Sequence, residues 1–358
     1  MHFLIRAPAR IHMTLIDLNG SVERIDGGLG FGIQEPFFKV EFWDDIPNNN
    51  HLSKDLKSPL NKKYAIKIGE KRVNFYGNQN EKEIFEDIIH RMRSKYNLLP
   101  KEFSVHIHKR IPPHQGFGSK TQLLLTFAKG IAELYGITPS VYELTRIVGR
   151  GGTSGIGYQV FEQGGFHFDL GHSFGKMKEK QSFLPSSASS ARPGLPFFHC
   201  DLPSNWKIFI MHPQISQKIA DQKEISIFSD FTPIAQRDIE IISHRILFQI
   251  IPGLLQQDLK VLADGMHTIN NHGFKKIEIS LQPSFVPDLL NKIYEEFHIP
   301  AGLSSFGPIL YVIVDNSMRI QDFTNFIHKF NQNDSSIPKI NLFETFPNNQ
   351  GALISHIP

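Results

Sequence analysis

Sulfur, tryptophan and net charge are all scarce in this chain. One cysteine, Cys200, serves 358 residues. A single thiol closes no internal disulfide and builds no cysteine metal centre, and it fits a reducing compartment. Two tryptophans stand against 30 phenylalanines, so phenyl rings without a polar handle must fill much of the core. The formal net charge is only +3, too small and too evenly spread to argue for a nucleic-acid partner. Long apolar runs are missing as well: no segment reaches the about 18 uninterrupted apolar residues of a membrane helix. The opening MHFLIRAPARIH is interrupted by Arg6 and Arg10 and reads as neither a signal peptide nor a membrane span. The cytoplasm is the default location.

What is present is ordinary globular material, 40% hydrophobic and 20% charged, in a length that suits two domains. The first strand is expected to end near Asp17, before a turn at Asn19-Gly20. Residues 26–36, DGGLGFGIQEP, hold four glycines and read as tight turns or close backbone approach, with a strand at Phe37–Trp43. The polar stretch 44–63 reads as a mobile surface excursion. Apolar spacing predicts a helix at Glu81–Leu98 and alternation predicts a strand around Phe103–Ile107. A glycine-rich turn at 116–118 then runs into an apolar helix closed by Gly136, and Ser140 caps a short helix ending at Gly149. A second glycine cluster precedes a strand at Gly165–Leu170. Residues 176–200, rich in Ser, Pro and Lys, read as an inter-domain connection, which divides the chain into 1–175 and 201–358. Beyond it come a strand from Trp206, helices near 234–251, 255–271, 285–297 and 320–331, a strand within 301–315, and a last strand near 339–346. This irregular alternation favours α+β layers over a doubly wound parallel sheet.

Two segments carry chemistry. Gly116-Phe117-Gly118-Ser119 precedes a helix whose first N–H groups lack internal partners and whose dipole is positive at that end. Glycine lets an anion approach the backbone, while Ser119 and Thr121 offer hydroxyls and Lys120 a charge. The bland alternative is a plain turn with Ser119 as N-cap. The segment is neither a Walker A loop nor GxGxxG. Gly149-Arg150-Gly151-Gly152-Thr153-Ser154-Gly155-Ile156-Gly157 holds five glycines in nine residues. It suits a second phosphate or diphosphate cradle, with Arg150 as a forked donor; the competing reading is a tightly wound connector. Asp17, Asp26 and Asp169 are the carboxylates available to Mg²⁺. Among His12, His114 and His172, which lie in or beside these segments, His172 is best placed for a polar ligand contact. No HExxH or His-x₃-His pattern supports zinc.

Taken together, these segments resemble the GHMP superfamily of small-molecule kinases. ARIHMTLIDLNG is similar to its first motif. PPHQGFGSKTQ is similar to its P-x-x-x-G-L-G-S-S phosphate loop, with Phe117 for Leu and Lys120 for the second small residue. SSFGPILYVIVD stands in the place of its third motif. RIDGGLGFGI, GRGGTSGIG…FEQGGF and FLPSSASSARPGLPFF bring the resemblance closer to a non-kinase branch, the β-ribofuranosylaminobenzene 5′-phosphate synthases, over nearly the whole chain. Where kinases of the superfamily often place a catalytic aspartate, in a segment like S-G-x-D, this chain has Gly157.

The resemblance implies an α+β, two-domain architecture: an N-terminal domain with a left-handed βαβ unit and a ferredoxin-like C-terminal domain. It implies condensation of phosphoribosyl diphosphate with 4-aminobenzoate or 4-hydroxybenzoate, releasing CO₂ and diphosphate, with Mg²⁺ as cofactor. An ATP-dependent kinase and a catalytically inactive ligand sensor are the alternatives. On this reading Asp26, Arg150 and His172 are the catalytic candidates. Gly116, Gly118, Ser119, Lys120, Thr121, Gly152, Ser154 and Gly155 would bind phosphate, Arg10 and His12 the substrate, and Asp17 and Asp26 the metal. Small molecules are the expected partners; a homodimer is admitted.

Overall fold

The computed structural model describes residues 1–44, 61–215, 221–332 and 337–358. The expected excursion at 44–63 falls mostly on 45–60, outside the described residues. In chain order the first half comprises β1 (His2–Asp17), β2 (Arg24–Trp43), β3 (Lys62–Ile68), β4 (Lys71–Gly77), α1 (Gln79–Tyr96), β5 (Phe103–Lys109), α2 (Ser119–Leu134), α3 (Val141–Ile147), α4 (Ile156–Gln163), β6 (Phe166–Asp169), β7 (His172–Ser173) and β8 (Pro196–Cys200). The second half begins with β9 (Lys207–Pro213), α5 (Asp221–Phe231), α6 (Gln236–Arg245), a π-helical turn (Ile246–Ile250), α7 (Ile251–Leu255), α8 (Leu259–Asn270) and α9 (Gly273–Ser280). It ends with α10 (Phe285–Phe297), β10 (Ala301–Leu303), β11 (Leu310–Val314), α11 (Ile320–Gln332), β12 (Ile340–Thr345) and β13 (Leu353–His356).

The first sheet runs β13-β1-β2-β5-β4-β3, with β6 and β7 on β2 and β8 on β6. Within it β4–α1–β5 is a βαβ unit with parallel strands. The second sheet, β10-β11-β9-β12, is antiparallel throughout. Numbered by appearance its strands stand in the order 2-3-1-4, the ferredoxin-like arrangement. The architecture is therefore α+β, as the resemblance implied.

The glycines at 27–32 proved to be strand interior rather than turns. β2 runs unbroken through them. A Cβ at Gly30 would strike the Ile11 carbonyl and the Ile156 side chain, and one at Gly32 would meet Asn348 O at 2.8 Å and Val160 at 3.1 Å. Glycine is what lets β1 and α4 lie flush on this strand. Helices α4, α5 and α9, and strands β3, β4, β7 and β13, escaped the sequence reading. The segment 176–200 does more than connect, since its last five residues form β8 and pair with β6.

Burial follows the two periodicities. On β1 the residues Phe3, Ile5, Ala7, Ala9 and Ile11 are fully buried, while Arg6 and Arg10 point the other way. Helix α1 opens with a capping box, Asn78 and Glu81 bonding each other's backbone N–H, and buries Phe85, Ile88, Ile89 and Met92. Helix α2 is apolar almost all round, which marks a central element. Gly130 on it leaves room for the Phe42 ring. On β9, Ile208 and Ile210 join the core of the first sheet while Phe209 and Met211 join a second core with α10 and α11. A sheet buried on both faces ties the halves together, at about 1.5–3 kcal/mol for each large apolar side chain buried.

Candidate functional site

A cleft of about 640 Å³ opens where β1, the N-terminus of α2, the turn at 150–157 and helices α5 and α9 converge. Its floor is set by the turn before α2. Gly116 and Gly118 adopt left-handed φ of 94° and 73°, a conformation that costs glycine nothing. Gly118, not Ser119, is the N-cap, and no side chain caps the helix. The helix start thus faces the cleft with no side-chain cap among the described residues, the arrangement that accepts an anion. The turn is stapled from both halves of the chain. Arg10 Nη1 donates to the Gly116 carbonyl (2.6 Å) and Arg10 N to that of Phe117 (3.1 Å). Ser304 Oγ, from the segment after β10, donates to the same Gly116 carbonyl (2.8 Å) and accepts from His12 N (3.0 Å).

Arg150 reaches the same helix start from the second turn, its Nε donating to Thr121 Oγ1 (3.1 Å) and its Nη1 to the Ser186 carbonyl (3.2 Å). Arg10 and Arg150 are close enough to oppose one another. Burial first, then Arg150, bring the Arg10 guanidinium down to about 10, with Glu224 and Glu278 acting the other way. Two guanidiniums and a helix N-terminus facing one space make a concentrated anion site. His12 sits beside it, 6% exposed, with Nε2 at 3.1 Å from Ser154 Oγ. Burial, Arg10 and Lys275 push its pKa well below 6.5, so the ring is neutral at neutral pH. Its Nδ1 has no hydrogen-bond partner among the described residues.

The remaining wall comes partly from two segments that carry the resemblance, 183–198 and 304–315, and partly from helices outside it. Pro185, Ser186 and Ser187 line the cleft from the segment before β8, and Glu224, Phe228, Glu278 and Phe306 line it from the second half. Glu278 is ion-paired with Lys275, both of them buried. Glu224 and Phe228 stand on α5 and Glu278 on α9, two helices that the sequence reading did not predict.

Of the residues singled out from sequence, Arg10, His12, Gly116, Gly118, Ser119, Lys120, Thr121, Arg150 and Ser154 line this one cleft, as does His114. Asp26, His172, Gly152, Gly155 and Asp17 do not. Asp26 Oδ2 accepts from His172 Nδ1 (2.6 Å) and from Lys180 Nζ (2.8 Å), all three side chains being sealed from solvent. His172 Nε2 faces the Arg192 carbonyl at 2.7 Å. Lys180 also donates to the Gly152 carbonyl (3.0 Å), so this cluster braces the second glycine turn from behind. Asp17 Oδ1 accepts from Asn19 N and Gly20 N, closing the β1–β2 turn. Asp169 receives Gly155 N and Gly171 N at 3.0 Å each, and burial drives it up to about 7 against those bonds. None of these carboxylates faces the cleft as a magnesium ligand should.

Gly157 packs on α2, where a Cβ would meet Thr121 Cγ2 at 3.0 Å. Gly157 also lines the cleft, so the place of the kinase aspartate is part of the wall and carries no side chain.

The fold and the cleft together define a GHMP-type protein. Residues 83–164 match the family described as GHMP kinases N terminal domain. Solved structures agree on the fold. A homoserine kinase from Cytophaga hutchinsonii superposes with a TM-score of 0.65 at 14% identity, covering 99% of this chain and 97% of that one. A mevalonate diphosphate decarboxylase from Staphylococcus aureus does so with 0.60 at 12%, covering 99% and 98%. Nearer relatives are the proteins named beta-ribofuranosylphenol 5′-phosphate synthase. That of Methanocaldococcus jannaschii is 35% identical, covering 91% of this chain and 94% of its own; that of Methanothermobacter thermautotrophicus is 37% identical, covering 88% and 89%. The chain belongs to this beta-ribofuranosylphenol 5′-phosphate synthase family. Among the described residues no helix is long and apolar enough to cross a membrane.

Proposed function

We propose that this chain joins the ribosyl group of phosphoribosyl diphosphate to the ring carbon of 4-hydroxybenzoate, giving a β-ribofuranosylphenol 5′-phosphate with release of CO₂ and diphosphate. The relatives' names, which specify a phenol, favour the hydroxy over the amino substrate. The observation that carries the reading in this chain is the convergence of Arg10, Arg150 and the α2 N-terminus on one cleft while glycine fills the place of the kinase base. Such a site is rich in donors for a departing diphosphate and has no carboxylate at the position where kinases of the superfamily often place their base.

The C1–O bond to diphosphate breaks and its electron pair leaves with the diphosphate. The carbon bearing the carboxylate attacks C1 to form the C–C bond. The bond to the carboxylate then breaks, its electron pair restores the aromatic ring, and CO₂ departs. No net proton is consumed. Arg10 and Arg150 neutralise the diphosphate as it forms; Ser119 and Thr121 orient it at the helix start. Neutral His12 offers a polar contact beside the reacting carbon without adding charge. Phe228 and Phe306 supply an apolar wall for the benzoate, and shielding from water protects the ribosyl centre from hydrolysis. Since Asp17 and Asp26 are turned away, we take Mg²⁺ to enter as the diphosphate chelate, as part of the substrate. We take the location to be cytoplasmic.

Incubation of the purified chain with phosphoribosyl diphosphate and either benzoate, followed by product mass, tests the reading. The expected product is the decarboxylated C-glycoside, made without ATP and lost in EDTA. A product that retains the carboxylate, or turnover that requires ATP, moves the assignment to a kinase.

A further inference from the structure

On the first sheet, outside the lining of the cleft, titratable side chains from three adjacent strands meet. β5 carries His106 and His108 two positions apart, so both rings leave the same side of the strand. β2 pairs with it so that Glu41 stands directly opposite His106. β1, on the far side of β2, brings His2 to the same corner, beside Trp43. One ligand atom each from Glu41, His106 and His108 lies within 4.8 Å of the others. Glu41 Oε2 accepts from His108 Nε2 and Glu41 Oε1 from His2 Nε2, both at 2.7 Å. The His106 and His108 ring centroids are 4.0 Å apart, and Asn61 Nδ2 lies 3.0 Å from His106 Nε2.

We propose that Glu41, His106 and His108 bind a divalent transition-metal ion of the zinc class, with His2 holding the carboxylate from outside. The donor set decides the class: two imidazoles and a carboxylate suit Zn²⁺, whereas Mg²⁺ and Ca²⁺ take oxygen ligands. Glu41 uses one carboxylate oxygen toward His108 and the other toward His2, so the carboxylate is already fixed in orientation between the two strands. The side chains also grade from sealed to open. His106 is 2% exposed, and the side chains of His108, Glu41 and His2 are 11%, 20% and 38% exposed, which provides an entry path. The ligands stand on paired strands, so little ordering is needed on binding. An ion there takes the place of the hydrogen shared by Glu41 and His108 and ties β2 to β5. None of the three ligands lines the cleft; Asn61 links His106 to Arg110, which does. It had no HExxH signature because its ligands come from two strands, brought together by register alone.

The test uses the full chain without a histidine tag, stripped with EDTA and titrated with ZnCl₂ by calorimetry. One Zn²⁺ per chain and a rise in Tm are expected. Outer-shell changes alone cost about 10–100-fold in metal affinity. Loss of a ligand in His108→Ala or Glu41→Gln should therefore cost on the order of a hundredfold or more, and His2→Gln about tenfold. Binding of equal strength in the wild type and both ligand variants places the ion among other histidines and overturns the proposal, as does a wild-type chain that takes up no Zn²⁺. Should a variant fail to fold, diethyl pyrocarbonate labelling of the wild type decides. Zn²⁺-dependent protection of His106 and His108 supports the site, and unchanged labelling overturns it.

Discussion

Two polar clusters share the turn at 149–157, and only one of them opens to the cleft. On one side Arg10, Arg150, His12 and Ser154 face the open space. On the other Asp26, His172 and Lys180 are closed on one another and on the carbonyls of Gly152 and Arg192. Both contain residues with the chemistry of catalysis. The difference lies in where their bonds go. The cleft groups keep capacity for a ligand: a helix start without a side-chain cap and a buried His12 Nδ1 with no described partner. The sealed groups spend most of theirs on holding a loop. A polar residue near a glycine motif thus does one of two jobs, presenting the turn's donors or bracing the turn.

The largest separation between the clusters should come from Arg10→Met. Removing one donor for developing charge costs about 10²–10³ in rate, and Arg10 also fixes the Gly116 carbonyl. We expect kcat/KM to fall on the order of a thousandfold in a chain that still folds; near-normal kinetics would remove the cleft's cations from the reaction. Gly118→Val should follow, at about a hundredfold. The cause differs from simple blocking of the anion: a side chain there is held at φ 73° and its Cβ would lie 2.8 Å from Arg10 Cγ, so it displaces the guanidinium. Steady-state kinetics with circular dichroism as the folding control measures both.

Asp26→Asn should show the reverse pattern. Breaking a buried charge pair costs about 3–5 kcal/mol of stability, read as a lowered urea midpoint, while the folded fraction keeps most of its kcat/KM, since no donor that faces the cleft is removed. Collapse of activity at unchanged stability would put Asp26 in the working cluster after all.

The smallest effect concerns pH. Burial and then His199 bring His167 down to about 4, its bond to the Gly164 carbonyl acting the other way. The unfolded ring, near 6.5, binds the proton more readily, so stability falls as pH drops from 6.5 towards 4. His12 acts in the same direction. His167→Gln should make that acid limb of the stability curve shallower; an unchanged slope would assign the limb elsewhere.

Much of this was legible in the sequence because glycine and helix starts are local signals. The turn at 116–118, helix α2 and the grouping of Arg10, His12, Arg150 and Ser154 all follow from motifs in which backbone geometry and residue type coincide. Two kinds of fact were not local. Glycines at 27–32 look the same whether they turn the chain or admit a neighbouring helix, and only the packing of α4 on β2 tells which. Likewise Asp26 and Lys180 are 154 positions apart. Their pairing hides the acid from the cleft, and nothing near either residue announces it. Glu224 and Glu278 reach the cleft from α5 and α9, short helices that no motif marks and the sequence reading did not predict.

The central claim is that the cleft expels diphosphate and CO₂ and transfers no phosphoryl group. Carboxyl-labelled 4-hydroxybenzoate with phosphoribosyl diphosphate measures it directly. The expected result is label recovered as CO₂ in equal amount to diphosphate, with no ATP present and no label in the aromatic product. Label retained in the product, or no turnover until ATP is added, would contradict it.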